Sequence, residues 1–137
     1  MSNVIPASTK QWKANSVASK ASTAYTQASL LYNDGTNTVP AVAATERISG
    51  ICQEAKASTD ATTSSINYLT AREPDAPFEM KVGTGTISKT DEGLSFDLKN
   101  STEVDATATS HQAVTLYKYL SSTKGLFIIN YDKGIDD

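Results

Sequence analysis

Short runs of alternating apolar and polar residues, cut by turn signals, run through this sequence from Ala28 onward, and they restrict it to a β fold. The clearest run lies at residues 78–100. Phe78, Met80 and Val82 alternate with Glu79, Lys81 and Gly83. After the charged stretch Lys89-Thr-Asp-Glu-Gly93, Leu94, Phe96 and Leu98 alternate with Ser95, Asp97 and Lys99. A period of two sends successive side chains to opposite faces of a strand. The stretch therefore predicts an amphipathic β-hairpin whose turn is Lys89–Gly93.

The remaining strands follow from the same signals. Ser29–Tyr32 reads as a strand ended by Asn33-Asp-Gly35, a turn whose residues accept positive φ. Thr38–Val42 is a short edge piece, because Pro40 has no N–H to give a ladder. Ile48–Glu54 and Ser65–Thr70 are further strands, separated by a polar loop at 55–63. Arg72–Pro77 carries two prolines and reads as a loop, as do residues 100–112. Ala113–Leu120 and Leu126–Tyr131 predict a second hairpin around Ser121–Gly125. Its last strand is apolar on both faces, which suits a central or doubly covered position. About eight strands spaced by turns predict an all-β sandwich or barrel in a single domain, residues 28–137.

Residues 1–27 differ. They are rich in Ser, Ala, Thr and Lys, and their helical periodicity is weak: Ala14, Val17, Ala18, Ala21, Ala24 and Ala28 recur at helical spacing but form small faces. Val4, Ile5, Pro6 and Trp12 stand out as apolar anchors that are costly to leave in water. The expectation is an N-terminal arm, extended or partly helical, that orders on a partner; a disordered tail is the alternative.

Charge and composition exclude several function classes. The net charge is -3 without a clustered basic face, so nucleic acid is not an expected partner. No apolar run reaches the ~18 residues of a transmembrane helix, and no membrane partner is expected. The first residues lack the apolar core of an export signal, so synthesis in a cytoplasm is expected. Serine and threonine make up 34 of 137 residues, a surface kept polar by hydroxyls more than by ions. Cys52 is the only cysteine and sits in the apolar run Ile48-Ser-Gly-Ile-Cys52, which reads as a buried, inert thiol. With one cysteine and one histidine, no zinc set can be assembled without several carboxylates, and no cofactor or metal is expected.

No residue pattern spells out catalysis. His111, in Thr107-Ala-Thr-Ser-His-Gln112, reads as a solvated loop histidine. Asp91, Glu92, Asp97, Glu103 and Asp105 cluster in sequence but fall at turn and solvent-face positions of the expected hairpin. Val82-Gly-Thr-Gly-Thr86 lacks the third glycine and the helix of a phosphate loop; glycines within a strand mark a bulge or a close backbone approach instead. Tyr117 and Tyr119, two apart on one strand, share a face that could be a binding surface or the rim of the core. The chain is read as not an enzyme.

The stretch from Ser29 to Glu54, with Leu30-Leu-Tyr-Asn-Asp-Gly35, Val39-Pro-Ala41 and Ile48-Ser-Gly-Ile51, resembles the opening of tailed-bacteriophage head decoration proteins, also called capsid cement proteins. Gly93-Leu-Ser-Phe-Asp-Leu98, Val104-Asp105, Val114–Tyr119 and Gly125–Ile129 are similar to their later segments. The resemblance covers roughly residues 28–131. It implies a small β-barrel or β-tulip domain on the outer capsid surface of a virion, made in the host cytoplasm. It implies binding to the major capsid protein and to other copies of itself, as a homotrimer at three-fold or quasi-three-fold positions, with N-terminal arms reaching across subunits. It carries no catalytic motif. On this reading Val4, Ile5, Pro6 and Trp12 anchor the arm, and Tyr117 and Tyr119 face a partner copy. The alternative is an adhesin or glycan-binding module of a phage fibre or tail, with Tyr117 and Tyr119 stacking on sugars. A small hydrolase using Asp97 and Glu103 is a third reading.

Overall fold

The computed structural model describes residues 4–59, 65–73 and 75–130. Among them are eleven strands: β1 (Ile5–Pro6), β2 (Trp12–Ala18), β3 (Leu30–Asn33), β4 (Thr38–Pro40), β5 (Gly50–Cys52), β6 (Ser65–Ala71), β7 (Phe78–Thr84), β8 (Ser95–Leu98), β9 (Glu103–Asp105), β10 (Val114–Ser121) and β11 (Lys124–Ile129). Single turns of 3-10 helix lie at Thr9–Gln11 and Lys89–Asp91. The all-β class expected from the alternation is what the chain adopts. The count exceeds eight because β1 and β2 come from the segment expected as an arm, and β9 from the loop expected at 100–112.

Five strands form a closed barrel in the order β7-β11-β10-β8-β9, and β9 returns to pair with β7 in parallel. Closure removes the free edges that an open sheet would present. β1 continues along β7, with Ile5 opposite Glu79. The other five strands make an antiparallel sheet in the order β2-β6-β5-β3-β4. Its two faces are read off by alternation. Leu30 and Ile51 join the main core with Phe78, Met80, Val82, Phe96, Leu98, Val104, Leu116 and Phe127 of the barrel. Leu31, Cys52 and Ile66 turn the other way and form a second cluster with Tyr25. The Tyr25 hydroxyl donates to the Thr38 carbonyl at 2.6 Å, and Tyr25 and Lys56 exchange backbone hydrogen bonds at 2.9 Å. Residues 19–28 thus cover the far face of the sheet.

The hairpin expected at 78–100 is not formed. β7 and β8 are strands, yet they do not pair with each other: β9 lies between them, parallel to β7 and antiparallel to β8. The ten residues from Gly85 to Leu94 are too many for a tight hairpin turn. They are held instead by the 3-10 turn at Lys89–Asp91, where Ser88 N–H donates to the Asp91 carboxylate at 2.8 Å. Period-two alternation specifies faces; it does not specify partners. The second hairpin is present as β10 and β11, and β11 is central, between β7 and β10. Tyr131, at the end of its expected strand, lies outside the described residues.

Two expected exposures are reversed, Leu94 by a bulge and Asp97 by the 108–112 segment that covers it. Leu94 is exposed while Asp97 is buried between Phe96 and Leu98. Gly93 N–H donates to the Leu116 carbonyl, and Leu116 N–H donates to the Leu94 carbonyl. That places two residues against one, a bulge that flips Leu94 outward. Gly83 also sits at a register break, between Val82 and Thr84 in the pairing with β9, where a Cβ would come within 2.7 Å of the Glu103 carboxyl carbon. The bulge reading of its glycine therefore holds.

Residues 4–18 run along the chain's own sheets, extended apart from the 3-10 turn at Thr9–Gln11. Val4 and Trp12 are 1% and 3% exposed and belong to the main core. β2 pairs along its length with β6, from Trp12 opposite Ala71 to Ala18 opposite Ser65.

Candidate functional site

The candidate partner contacts separate into buried and exposed groups. Val4 and Trp12 pack inside the protein itself. Ile5 is exposed and Pro6 half-buried on β1, beside β7. Tyr117 and Tyr119 do not share a face. β10 and β11 slip register between Leu116 and Lys118, so Tyr117 is the extra residue of a bulge. Beyond it Tyr119 pairs with the buried Gly125 and packs against the core, while Tyr117 stays about half exposed. A one-residue bulge converts the expected tyrosine stripe into one surface tyrosine and one core-rim tyrosine.

The carboxylates that cluster in sequence each serve the scaffold. Asp97 accepts the backbone N–H groups of His111 at 2.7 Å and Gln112 at 2.8 Å. Glu92 accepts Tyr119 N–H at 2.8 Å, and that hydrogen bond holds its carboxyl below the usual glutamate range. Asp105 accepts the Thr107 hydroxyl at 2.6 Å and the Thr107 N–H at 2.9 Å, which lower its pKa in that order. Glu103 accepts from the Asn100 amide at 2.9 Å. Among the described residues no three histidine, cysteine or carboxylate groups converge as a metal site. Cys52 is buried, its thiol donates to the Glu54 carbonyl at 3.0 Å, and burial pushes its pKa up.

Two features face outward with unused bonding capacity. The first is the outer edge of β2. Arg72 N–H donates to the Gln11 carbonyl, which sets the phase of the β2–β6 ladder. Antiparallel pairing alternates, so Lys13, Asn15 and Val17 direct their backbone groups to β6, and Ala14, Ser16 and Ala18 direct theirs outward. Among the described residues no strand lies beyond them, since β2 ends its sheet. Ser16 N–H turns back to the Asn15 side chain at 2.9 Å. β2 has seven residues and no proline, and carries an exposed Lys13, whereas the opposite edge, β4, has three residues and ends in Pro40. β4 is blunted by its shortness and Pro40, and β2 by the single charge of Lys13.

The second is an open cleft of about 430 Å³ lined by Tyr32, Asn33, Ala44, Thr45, Glu46, Arg47 and His111. Tyr32 and Asn33 come from β3, residues 44–47 from the β4–β5 connection, and His111 from the β9–β10 connection of the barrel. The loops are tied locally. Thr45 N–H donates to the Val42 carbonyl at 3.0 Å and Val42 N–H to the Thr45 hydroxyl at 2.9 Å. His111 Nδ1 lies 3.1 Å from Glu46 Oε2, bridging the sheet and the barrel. Sequence reasoning set His111 aside as a lone loop histidine. Its neighbours are 65 positions away, so no local motif could flag them.

Comparisons of this chain with known protein families, with curated proteins and with solved structures find no match.

Proposed function

We propose that this protein is structural: a decoration protein bound to the outer surface of a tailed-phage capsid, acting through contacts with the major capsid protein and with further copies of itself. The observation that carries this reading is the free edge of β2. A seven-residue edge strand at the margin of the open sheet is suited to strand addition, in which main-chain hydrogen bonds supply affinity without special side chains. On a symmetric shell many such weak contacts add through multivalency.

The test is co-sedimentation of the purified protein with undecorated capsids, together with its mass in solution. Saturable pelleting, with a trimer in solution or formed on the shell, is the expected result. Ser16→Pro removes one outward N–H, bonded only to the adjacent Asn15 side chain, and no bond to β6, so it should keep the fold and, by removing a donor and altering the edge, lose capsid binding. A parent protein that ignores capsids removes the decoration reading. A folded Ser16→Pro that still pellets like the parent removes the role of the edge.

A further inference from the structure

We infer that the cleft between β3, the 42–47 loop and His111 is a binding site for an acidic sugar, a pyranose ring carrying a carboxylate. This inference does not rest on the decoration reading. The cleft volume of about 430 Å³ falls within the usual range for small-ligand sites, and its lining is polar and open, which suits a hydrated ligand.

The lining residues divide the task of recognition. Tyr32 has its ring body against the main core and its remaining surface in the cleft, a fixed apolar plane for a sugar face. Arg47 is exposed and makes no ion pair or hydrogen bond with the described residues. A planar guanidinium left without a partner is matched by a carboxylate, which it holds through two parallel N–H donors. Glu46 beside it opposes a doubly charged phosphate but accepts sugar hydroxyls well. Thr45, 2% exposed, accepts from Val42 N–H through its hydroxyl and so fixes the wall of the cleft. With Nδ1 of His111 engaged by Glu46, Nε2 is left to meet a ligand hydroxyl.

The support behind His111 is unusually firm for a loop. Asp97, 5% exposed, fixes two successive backbone N–H groups there. Gln112 is held at φ 52°, a left-handed conformation unfavourable for its side chain, and its carbonyl is held by the Asn130 amide at 2.7 Å. A strained residue, pinned on both sides and adjacent to a cleft, is the arrangement by which a binding group is positioned in advance.

The experiment is an NMR titration of the amide-labelled full chain with glucuronic acid, glucose and acetate at neutral pH. Glucuronic acid should give saturable shifts at residues 32–33, 44–47 and 111, with glucose and acetate each binding about tenfold more weakly or worse. Arg47→Ala should weaken glucuronic acid about tenfold and leave glucose unchanged, with Arg47→Lys between. His111→Ala is a second, surface variant and should weaken both sugars. No saturable shift with glucuronic acid overturns the site. Acetate binding as tightly as glucuronic acid overturns the sugar, and glucose binding as tightly overturns the role of Arg47.

Discussion

The indole of Trp12 stands edge-on to the ring of Phe78, with centroids 6.0 Å apart and planes at 74°. Trp12 begins β2 at the margin of the second sheet, and Phe78 begins β7 in the barrel. This aromatic pair therefore joins the two sheets. A tryptophan that looks in sequence like an anchor for a partner is part of the protein's own interior. Its indole N–H has no hydrogen-bond partner among the described residues.

Trp12→Ala should cost about 3–5 kcal/mol, the usual range for deleting a buried aromatic. Trp12→Phe should cost far less, because the N–H it removes was never paired. Urea denaturation distinguishes the two; equal midpoints for both variants would contradict the pairing with Phe78.

Removing residues 1–15 takes away Val4, Trp12, β1 and half of β2. The truncated chain should show a lower melting temperature and a less cooperative transition. Were 1–15 an arm independent of the domain, the truncated protein would melt with the parent.

Tyr117 and Tyr119 should respond differently. Tyr117→Ser, on the exposed bulge, should fall within ~0.5 kcal/mol of the parent. Tyr119→Ala should cost on the order of 2 kcal/mol, less than a fully buried aromatic. Similar costs at both positions would argue against the register slip at Leu116–Lys118.

Asp97→Ala leaves the N–H groups of His111 and Gln112 without their acceptor, at about 1–3 kcal/mol. It should also raise hydrogen-exchange rates of those two amides specifically. Unchanged exchange at 111 and 112 would remove Asp97 as the clamp of this loop.

Acid should destabilise the fold through Asp34, Glu92 and Asp105. Asp34 is held below the usual range by the N–H groups of Asn37 and then Thr36. All three carboxyls have lower pKa values folded than unfolded, so their contribution is present above the unfolded values, 3.8 for Asp and 4.5 for Glu. It disappears as the pH falls through the folded values. In alkali the sign reverses: Tyr25 is raised above 10.0 by burial, so stability falls as the pH rises past that value. Melting temperature against pH should fall at both ends, and Asp105→Asn should flatten the acid limb.

The alternation of apolar residues along 30–33, 66–70, 78–82 and 114–116 was enough to place strands there and to name most of the core. The Asn33–Gly35 turn was equally legible, because its bonds are local: Asp34 accepts Thr36 N–H at 3.0 Å and Asn37 N–H at 2.8 Å. Partners were not legible. β9 slides between β7 and β8, and nothing in three residues at 103–105 announces a parallel pairing some twenty positions back. The faces of Leu94 and Tyr119 depend on one-residue bulges, and Asp97 is buried by the 108–112 segment folded over it; alternation by itself registers neither. The cleft needed both kinds of tertiary information, since Tyr32, Arg47 and His111 meet only when the barrel docks on the sheet. Period and turn chemistry act within a few residues and determined what this chain is made of. Pairing, register and burial are settled between distant segments, and they decided that Trp12 lies inside, that β2 is an edge, and that His111 faces Glu46.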